Sequence, residues 1–282
     1  MGNARLFLER DHLVKGLFVK EFAPERPEGL DTPVLMVPGG SHGWWAFEVW
    51  LPFFASSGWQ SFSLSLRNHT GSYSLPDEEF VRLTMDDYVD DVSTVLAWLD
   101  KPAVLIGHSM GGIIVQKVAE KTTLKGMVLV ASVGPGQLGP IRDPVPTDKP
   151  IMLDPDIVRM TWFHRIDNER FKSIYSRLTP ESPEVMNEYS TGRVRVDRQA
   201  INCPILVIRG AYDRTVVHAA EALADFYSAP YQIEPDCGHD LMLEPSALDV
   251  AQKINQWLLS VVSTDPVHSG VTIPNSLQRS SC

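Results

Sequence analysis

Short apolar runs rich in β-branched residues recur along the chain at 17–22, 34–37, 61–66, 103–106, 127–130, 205–208 and 231–233. Segments with helical spacing separate most of them, most clearly at 45–57, 85–99, 111–120, 217–227 and 247–261. Such alternation implies parallel strands joined by right-handed helical crossovers. Several runs are apolar at nearly every position, as strands are when helices cover both faces of the sheet. The expected fold is α/β, a mostly parallel central sheet flanked by helices.

The alternation stops between about residues 134 and 197. This stretch opens with the Pro/Gly-rich passage GPGQLGPIRDPVPTDKP and continues with helix-like segments DPDIVRMTWFHR, NERFKSIYSRL and PEVMNEYS. A structureless loop of that length is uncommon inside a compact domain, so the stretch reads as a helical lid insertion. The organisation expected is a core in two parts, 1–133 and 198–261, interrupted by the lid at 134–197 and followed by a flexible tail at 262–282.

Composition then narrows the function classes. With 44 % hydrophobic and 21 % charged residues the chain has a soluble globular make-up, and no apolar run approaches the ~18 residues of a membrane span. The formal net charge of −10 opposes the phosphate attraction on which nucleic-acid binding depends. The first twenty residues scatter charges among the apolar positions and lack the apolar core of a secretory signal. Cysteine numbers 3, an odd count without C-x-x-C spacing, which points to a reducing, cytoplasmic setting and to no metal site. Nothing in the sequence calls for a cofactor or sets an oligomeric state.

Residues 103–115 join an apolar run, the turn Gly107-His108-Ser109-Met110-Gly111 and the start of a helical pattern. A strand that feeds straight into a helix leaves room for only a sharp turn, and a serine at its apex projects its Oγ outward. The pentapeptide alone is a weak signal, since Gly and Ser at about 7 % each give G-x-S-x-G by chance in roughly one chain in ten of this length. Its setting strengthens it, because a serine nucleophile needs a base and an acid, and both have candidates after later strands. Asp213 follows the run CPILVIR, and His239 lies in the loop CGHDLMLEP after the last run. Parallel strands end at one edge, so residues after different strands converge there.

Asp213 read alone is equally a turn or helix-cap aspartate, and His42, beside the Gly-rich loop, rivals His239 as the base. His12, His69, His164, His218 and His268 fall at surface, lid or tail positions. The order Ser109, Asp213, His239 favours the triad. An oxyanion needs preorganised donors; the backbone N–H groups of Met110 and of Gly40, in the loop Pro38-Gly39-Gly40-Ser41-His42-Gly43, are the candidates. Trp44, Met160, Trp162 and Phe163 are candidate substrate contacts, or else packing residues.

These motifs resemble the α/β-hydrolase fold superfamily, its serine-nucleophile, esterase and thioesterase-like branch, in the order VPGGSHGWW, GHSMGG, GAYDRTV and CGHDLMLEP. Two departures stand out. Pro38-Gly39 replaces the His-Gly of many members, and residues 65–72 keep only Arg67 and Ser72 of a D-x-R-G-x-G-x-S segment. Relatives that open epoxides or remove halide use an aspartate nucleophile, which Ser109 argues against. The resemblance implies a metal-free, cofactor-free serine hydrolase acting on a small-molecule ester or thioester of fairly apolar character. A lyase, acyltransferase or cyclase with the same site, and a non-catalytic small-molecule-binding module, are the alternatives.

Overall fold

The computed structural model describes residues 7–25, 30–215 and 217–262. The strands are β1 (Phe7–Val14), β2 (Leu17–Pro24), β3 (Leu30–Val37), β4 (Trp59–Leu64), β5 (Val104–His108), β6 (Gly126–Val130), β7 (Ile205–Gly210) and β8 (Tyr231–Glu234). They form one sheet in the order β1-β2-β4-β3-β5-β6-β7-β8. From β4 to β8 every pairing is parallel, while β2 runs antiparallel to both β1 and β4.

The helices are α1 (Trp50–Ser56), α2 (Asp77–Phe80), α3 (Met85–Leu99), α4 (Met110–Ala119), α5 (Pro155–Trp162), α6 (Asn168–Tyr175), α7 (Pro183–Ser190), α8 (Ala220–Tyr227) and α9 (Ala247–Val262). The continuously apolar strands are explained by two cores. Leu35, Val37, Leu105, Leu129 and Val207 pack toward α3, α4 and α8. Their neighbours Val34, Met36, Val104, Ile106, Val128 and Ile208 pack toward α1 and α9. Each such side chain, fully buried, contributes about 1.5–3 kcal/mol, so both faces hold the sheet.

Two sequence expectations are corrected. The helix expected over 45–57 is broken into a 3-10 turn at Trp44–Phe47 and α1. Pro52 supplies the reason: it has no N–H for the carbonyl one turn back and its ring crowds that carbonyl, so it sits only in the first turn of a new helix. β1 was not anticipated because its outward residues are charged and exposed, as befits an edge strand. Its hairpin to β2 turns at Lys15 and Gly16, both at positive φ (49° and 89°), the conformation of a tight two-residue hairpin turn.

Between β6 and β7 the chain forms α5, α6 and α7, each started by a side-chain cap. Asp154 accepts from Asp156 and Ile157 N–H, Asp167 from Arg170 N–H, and Ser182 from Val185 N–H. Val158, Trp162, Phe171 and Ile174 of this segment join one core and Val185 joins the other. The tail expected at 262–282 lies outside the described residues beyond Val262. Among the described residues no helix is long and apolar enough to cross a membrane.

The site follows from the topology. The chain leaves β3 for β4 on one side, then returns to β5 on the other, which opens a crevice at the carboxyl ends of β3 and β5. The loop after β3 and the turn after β5 meet there.

Candidate active site

Ser109 lies between β5 and α4 with φ 52° and ψ −117°, a conformation unfavourable for any residue with a side chain. Surrounding hydrogen bonds hold it. Its N–H donates to the Val130 carbonyl at 3.0 Å, and its carbonyl accepts from Gly112 and Val133 N–H, each at 3.0 Å. The turn has no room for a side chain two residues to either side, at Gly107 or Gly111. A Cβ at Gly107 would sit 2.5 Å from the Gly111 carbonyl oxygen, and one at Gly111 would sit 2.3 Å from that of Val37.

Asp213 follows β7 with its carboxylate wholly buried. One oxygen accepts from His239 Nδ1 at 3.0 Å and from Arg209 Nε at 3.1 Å, the other from Thr215 N–H at 2.8 Å. Burial alone would raise its pKa, but the His239 ring, then Arg209, hold it below the usual carboxylate value. His239 mirrors this: burial disfavours its charged form, yet Asp213 raises its pKa above the ordinary value. With Nδ1 engaged by Asp213, the imidazole keeps Nε2 for a second partner.

Ser109 and His239 line one cleft, with Gly40, Ser41, Trp162 and Glu181. It encloses about 510 Å³ of unfilled space, part of it open to solvent. In this conformation Ser109 Oγ has no hydrogen-bond partner among the described residues, a looseness common before substrate is bound. The N–H groups of Gly40 and Met110 likewise lack a protein acceptor among the described residues.

A second buried network lies beside the cleft. His42 Nε2 is 3.1 Å from Asp240 Oδ2, and His42 Nδ1 is 2.9 Å from the Gly40 carbonyl. His108 Nε2 donates to the His239 carbonyl at 3.1 Å and lies 3.4 Å from Asp240 Oδ1. Burial, then neighbouring His239, push the His108 pKa down to about 3, so the ring is neutral. Asp240 thereby ties the loop after β3 to the histidine loop, and His108 reaches the same loop through the His239 carbonyl. His108, His239 and Asp240 also have ion-binding spacing, their ligand atoms lying within 4.8 Å of one another. Asp213 and His42 already engage two of the three.

The segment between β6 and β7 supplies a third network. Glu181, 2 % exposed, accepts from Ser41 N–H at 3.1 Å and His69 Nε2 at 3.2 Å through one oxygen. The other oxygen accepts from the Tyr88 hydroxyl at 2.6 Å and from Ser182 N–H at 2.8 Å. Despite burial, which disfavours both charges, the pair shifts in opposite directions: Glu181 below its ordinary value and His69 above. The Trp162 carbonyl accepts His239 N–H at 2.7 Å, so the segment holds the histidine loop as well.

Of the residues singled out in the sequence, Ser109, His239, Gly40 and Trp162 meet at the cleft, with Asp213 directly behind His239. Trp44, Met160 and Phe163 are not among the residues that line it. Met160 is 59 % exposed, because it occupies the face of α5 opposite the buried Val158 and Trp162. Phe163 packs on Phe171, and Trp44 packs on Phe18 with Lys20 over its ring. His69 is buried, where a surface position was expected. His42 faces Asp240, its ring stacked on Trp162. Glu181, Tyr88, Arg209 and Asp240 were not anticipated; Glu181, Tyr88 and Asp240 have partners far along the chain.

A mostly parallel sheet whose carboxyl edge gathers a serine on a strained turn, a histidine and a buried aspartate has the architecture of an α/β hydrolase. Residues 34–252 match the profile described as the alpha/beta hydrolase family, and the chain belongs to that family. No curated protein matches the sequence. Solved structures share the fold at low identity. A protein designated an aryl esterase from Burkholderia cenocepacia superimposes with a TM-score of 0.70 at 19 % identity, covering 90 % of this chain and 100 % of its own. An esterase from Thermogutta terrifontis gives 0.64 at 20 %, covering 90 % and 99 %. A bromoperoxidase from Bacillus anthracis gives 0.66 at 17 %, covering 91 % and 100 %. Proteins of different designation thus share this scaffold, so function rests on the site.

Proposed function

We propose that the protein is a serine hydrolase that cleaves a small, fairly apolar ester or thioester through an acyl-enzyme on Ser109. The observation that carries this reading is the buried Asp213–His239 pair, joined at 3.0 Å, sharing a cleft with a serine on a strained strand-to-helix turn. His239 Nε2 removes the Ser109 proton as Oγ attacks the carbonyl, and Asp213 stabilises the imidazolium that forms. The N–H groups of Met110 and Gly40, free of acceptors among the described residues, hold the oxyanion, with the positive end of the α4 dipole behind Met110. His239 then protonates the departing alcohol or thiol, and water activated by the same ring releases the acid.

Residues 134–197 act as the lid. They contribute apolar lining through Ile151, Leu153, Trp162 and Met186, which suits an apolar substrate arm. Replacing Ser109 by Ala is expected to lower turnover of p-nitrophenyl esters by on the order of 10⁴-fold or more and to abolish labelling by a fluorophosphonate, with the melting temperature retained. Esterase activity that survives Ser109→Ala would overturn the assignment.

A further inference from the structure

Among the described residues, the wall of the cleft next to Ser109 has one permanent cation, Arg142. Its guanidinium makes no hydrogen bond or ion pair among the described residues. The nearby carboxylate is no partner for it, because Glu181 already accepts from Ser41, His69, Tyr88 and Ser182. Arg142 is nevertheless held in place. Ile141 and Arg142 N–H both donate to the carbonyl of Ser190, at 2.8 and 3.3 Å, which pins the residue to the end of α7.

Tyr189, the preceding residue of α7, lines the same cleft. Its hydroxyl also lacks a hydrogen-bond partner among the described residues. Burial pushes the Tyr189 pKa up to about 12 against the pull of neighbouring Arg142, so at neutral pH the phenol is a donor. A half-buried guanidinium and a phenol that line the same cleft, each without a hydrogen-bond partner among the described residues, complement an anion. A planar fork of N–H donors matches a carboxylate above all.

We propose that the substrate carries a carboxylate on the arm lying beneath the 134–197 segment, gripped by Arg142 with Tyr189 as a second donor. This inference rests on the ester-hydrolase reading of Ser109 and names its substrate class: half-esters of dicarboxylic acids, in which an apolar chain separates the scissile ester from a free carboxylate. The apolar residues of the same cleft, Ile151, Leu153 and Met186, suit that chain. Hydrolysis consumes one water and releases the alcohol and the dicarboxylate.

The test compares p-nitrophenyl half-esters of linear diacids, from adipate to sebacate, with p-nitrophenyl esters of monoacids of equal chain length. Each pair then differs only by a terminal carboxylate in place of a methyl. The protein is expected to prefer the half-ester in kcat/KM at one or more lengths. Arg142→Met, close in shape but uncharged, is expected to reduce that preference ratio by roughly tenfold to a hundredfold, the scale of a lost charge-assisted hydrogen bond. Arg142→Lys is expected to retain part of it, and Tyr189→Phe to reduce it by a smaller factor.

Calorimetric binding of the same esters to Ser109→Ala protein, with and without Arg142→Met, reads the discrimination without turnover. A ratio that Arg142→Met leaves unmoved, or no preference at any length, overturns the inference while neutral-ester turnover lost in Ser109→Ala keeps the hydrolase reading. If no ester turns over, the hydrolase reading fails instead, and equal binding of both pair members would overturn the carboxylate subsite too.

Discussion

Glu181→Ala removes the acceptor of the hydrogen bonds from Ser41, His69, Tyr88 and Ser182 at one stroke. His69 is 2 % exposed and Tyr88 0 %, so neither gains a water contact without structural opening. Breaking a buried ion pair from one side costs about 3–5 kcal/mol. An orphaned buried hydroxyl adds about 1–3 kcal/mol, partly offset when His69 gives up its proton. A net loss of about 3–5 kcal/mol, at about 2–4 °C per kcal/mol for a chain of roughly this size, lowers the melting temperature by about 6–20 °C.

The pH dependence distinguishes this from a simple cavity. Glu181 has a folded pKa below 4.5: burial opposes the shift, and His69 overcomes it. Its contribution is complete above the ordinary carboxylate value and is lost as pH falls through the depressed one. His69 has a folded pKa above 6.5, burial again opposing and Glu181 prevailing, so its contribution is complete below 6.5 and is lost as pH rises through the raised value. The gap between parent and variant is therefore widest from about 4.5 to 6.5 and narrows on the alkaline side. Thermal melts followed by circular dichroism across that range measure it. An unchanged melting temperature, or an offset that stays constant through the His69 titration, would refute the ion pair.

Two further substitutions probe the site. Asp213→Asn is expected to reduce kcat/KM by on the order of 10⁴-fold and to move the acidic limb of the pH–rate profile to lower pH. Asp213 is what holds His239 above its ordinary value against burial, and activity requires the neutral ring; an unmoved limb would count against the pairing. Gly111→Ala places a Cβ 2.3 Å from the Val37 carbonyl oxygen and 2.4 Å from that of Pro38. Both carbonyls belong to the end of β3 and the loop beyond it, so the variant is expected to lose most soluble yield; a soluble protein with the parent's melt would show that the contact relaxes.

Legibility of the fold in the sequence followed the range of the physics. α3 was expected over 85–99 and is found at Met85–Leu99, because apolar spacing and the Asp87 carboxylate, which accepts Thr84 N–H at 2.8 Å, are local signals. The helices of the 134–197 stretch were visible because helix-like spacing is likewise a local signal; the Asp and Ser caps that start them are found in the structure. The turn at Ser109 was legible because steric demand between a strand and a helix leaves room only for glycine at 107 and 111, two residues to either side of the nucleophile. Long-range ionic pairing had no such pattern. Glu181 meets His69 across 112 residues and Asp240 meets His42 across 198. Topology alone decides those partners, and a polar residue destined for burial reads locally like any exposed one.

That topology also gives the 134–197 segment a larger part than a cover. Ser41, beside Gly40, sits at φ 66°, a conformation unfavourable for a residue with a side chain. Its two backbone polar groups are held from the segment: Glu181 accepts its N–H at 3.1 Å, and Thr179 N–H donates to its carbonyl at 3.0 Å. The loop offered as an oxyanion donor is thus braced by residues far along the chain, from the same segment that presents Arg142 and Tyr189 to the cleft. Two kinds of kinetic effect should separate within it. Changes at Glu181 alter the brace and act on kcat for every ester, whereas changes at Arg142 act on the choice between charged and neutral esters. A segment that only shielded the cleft from water would not divide in this way.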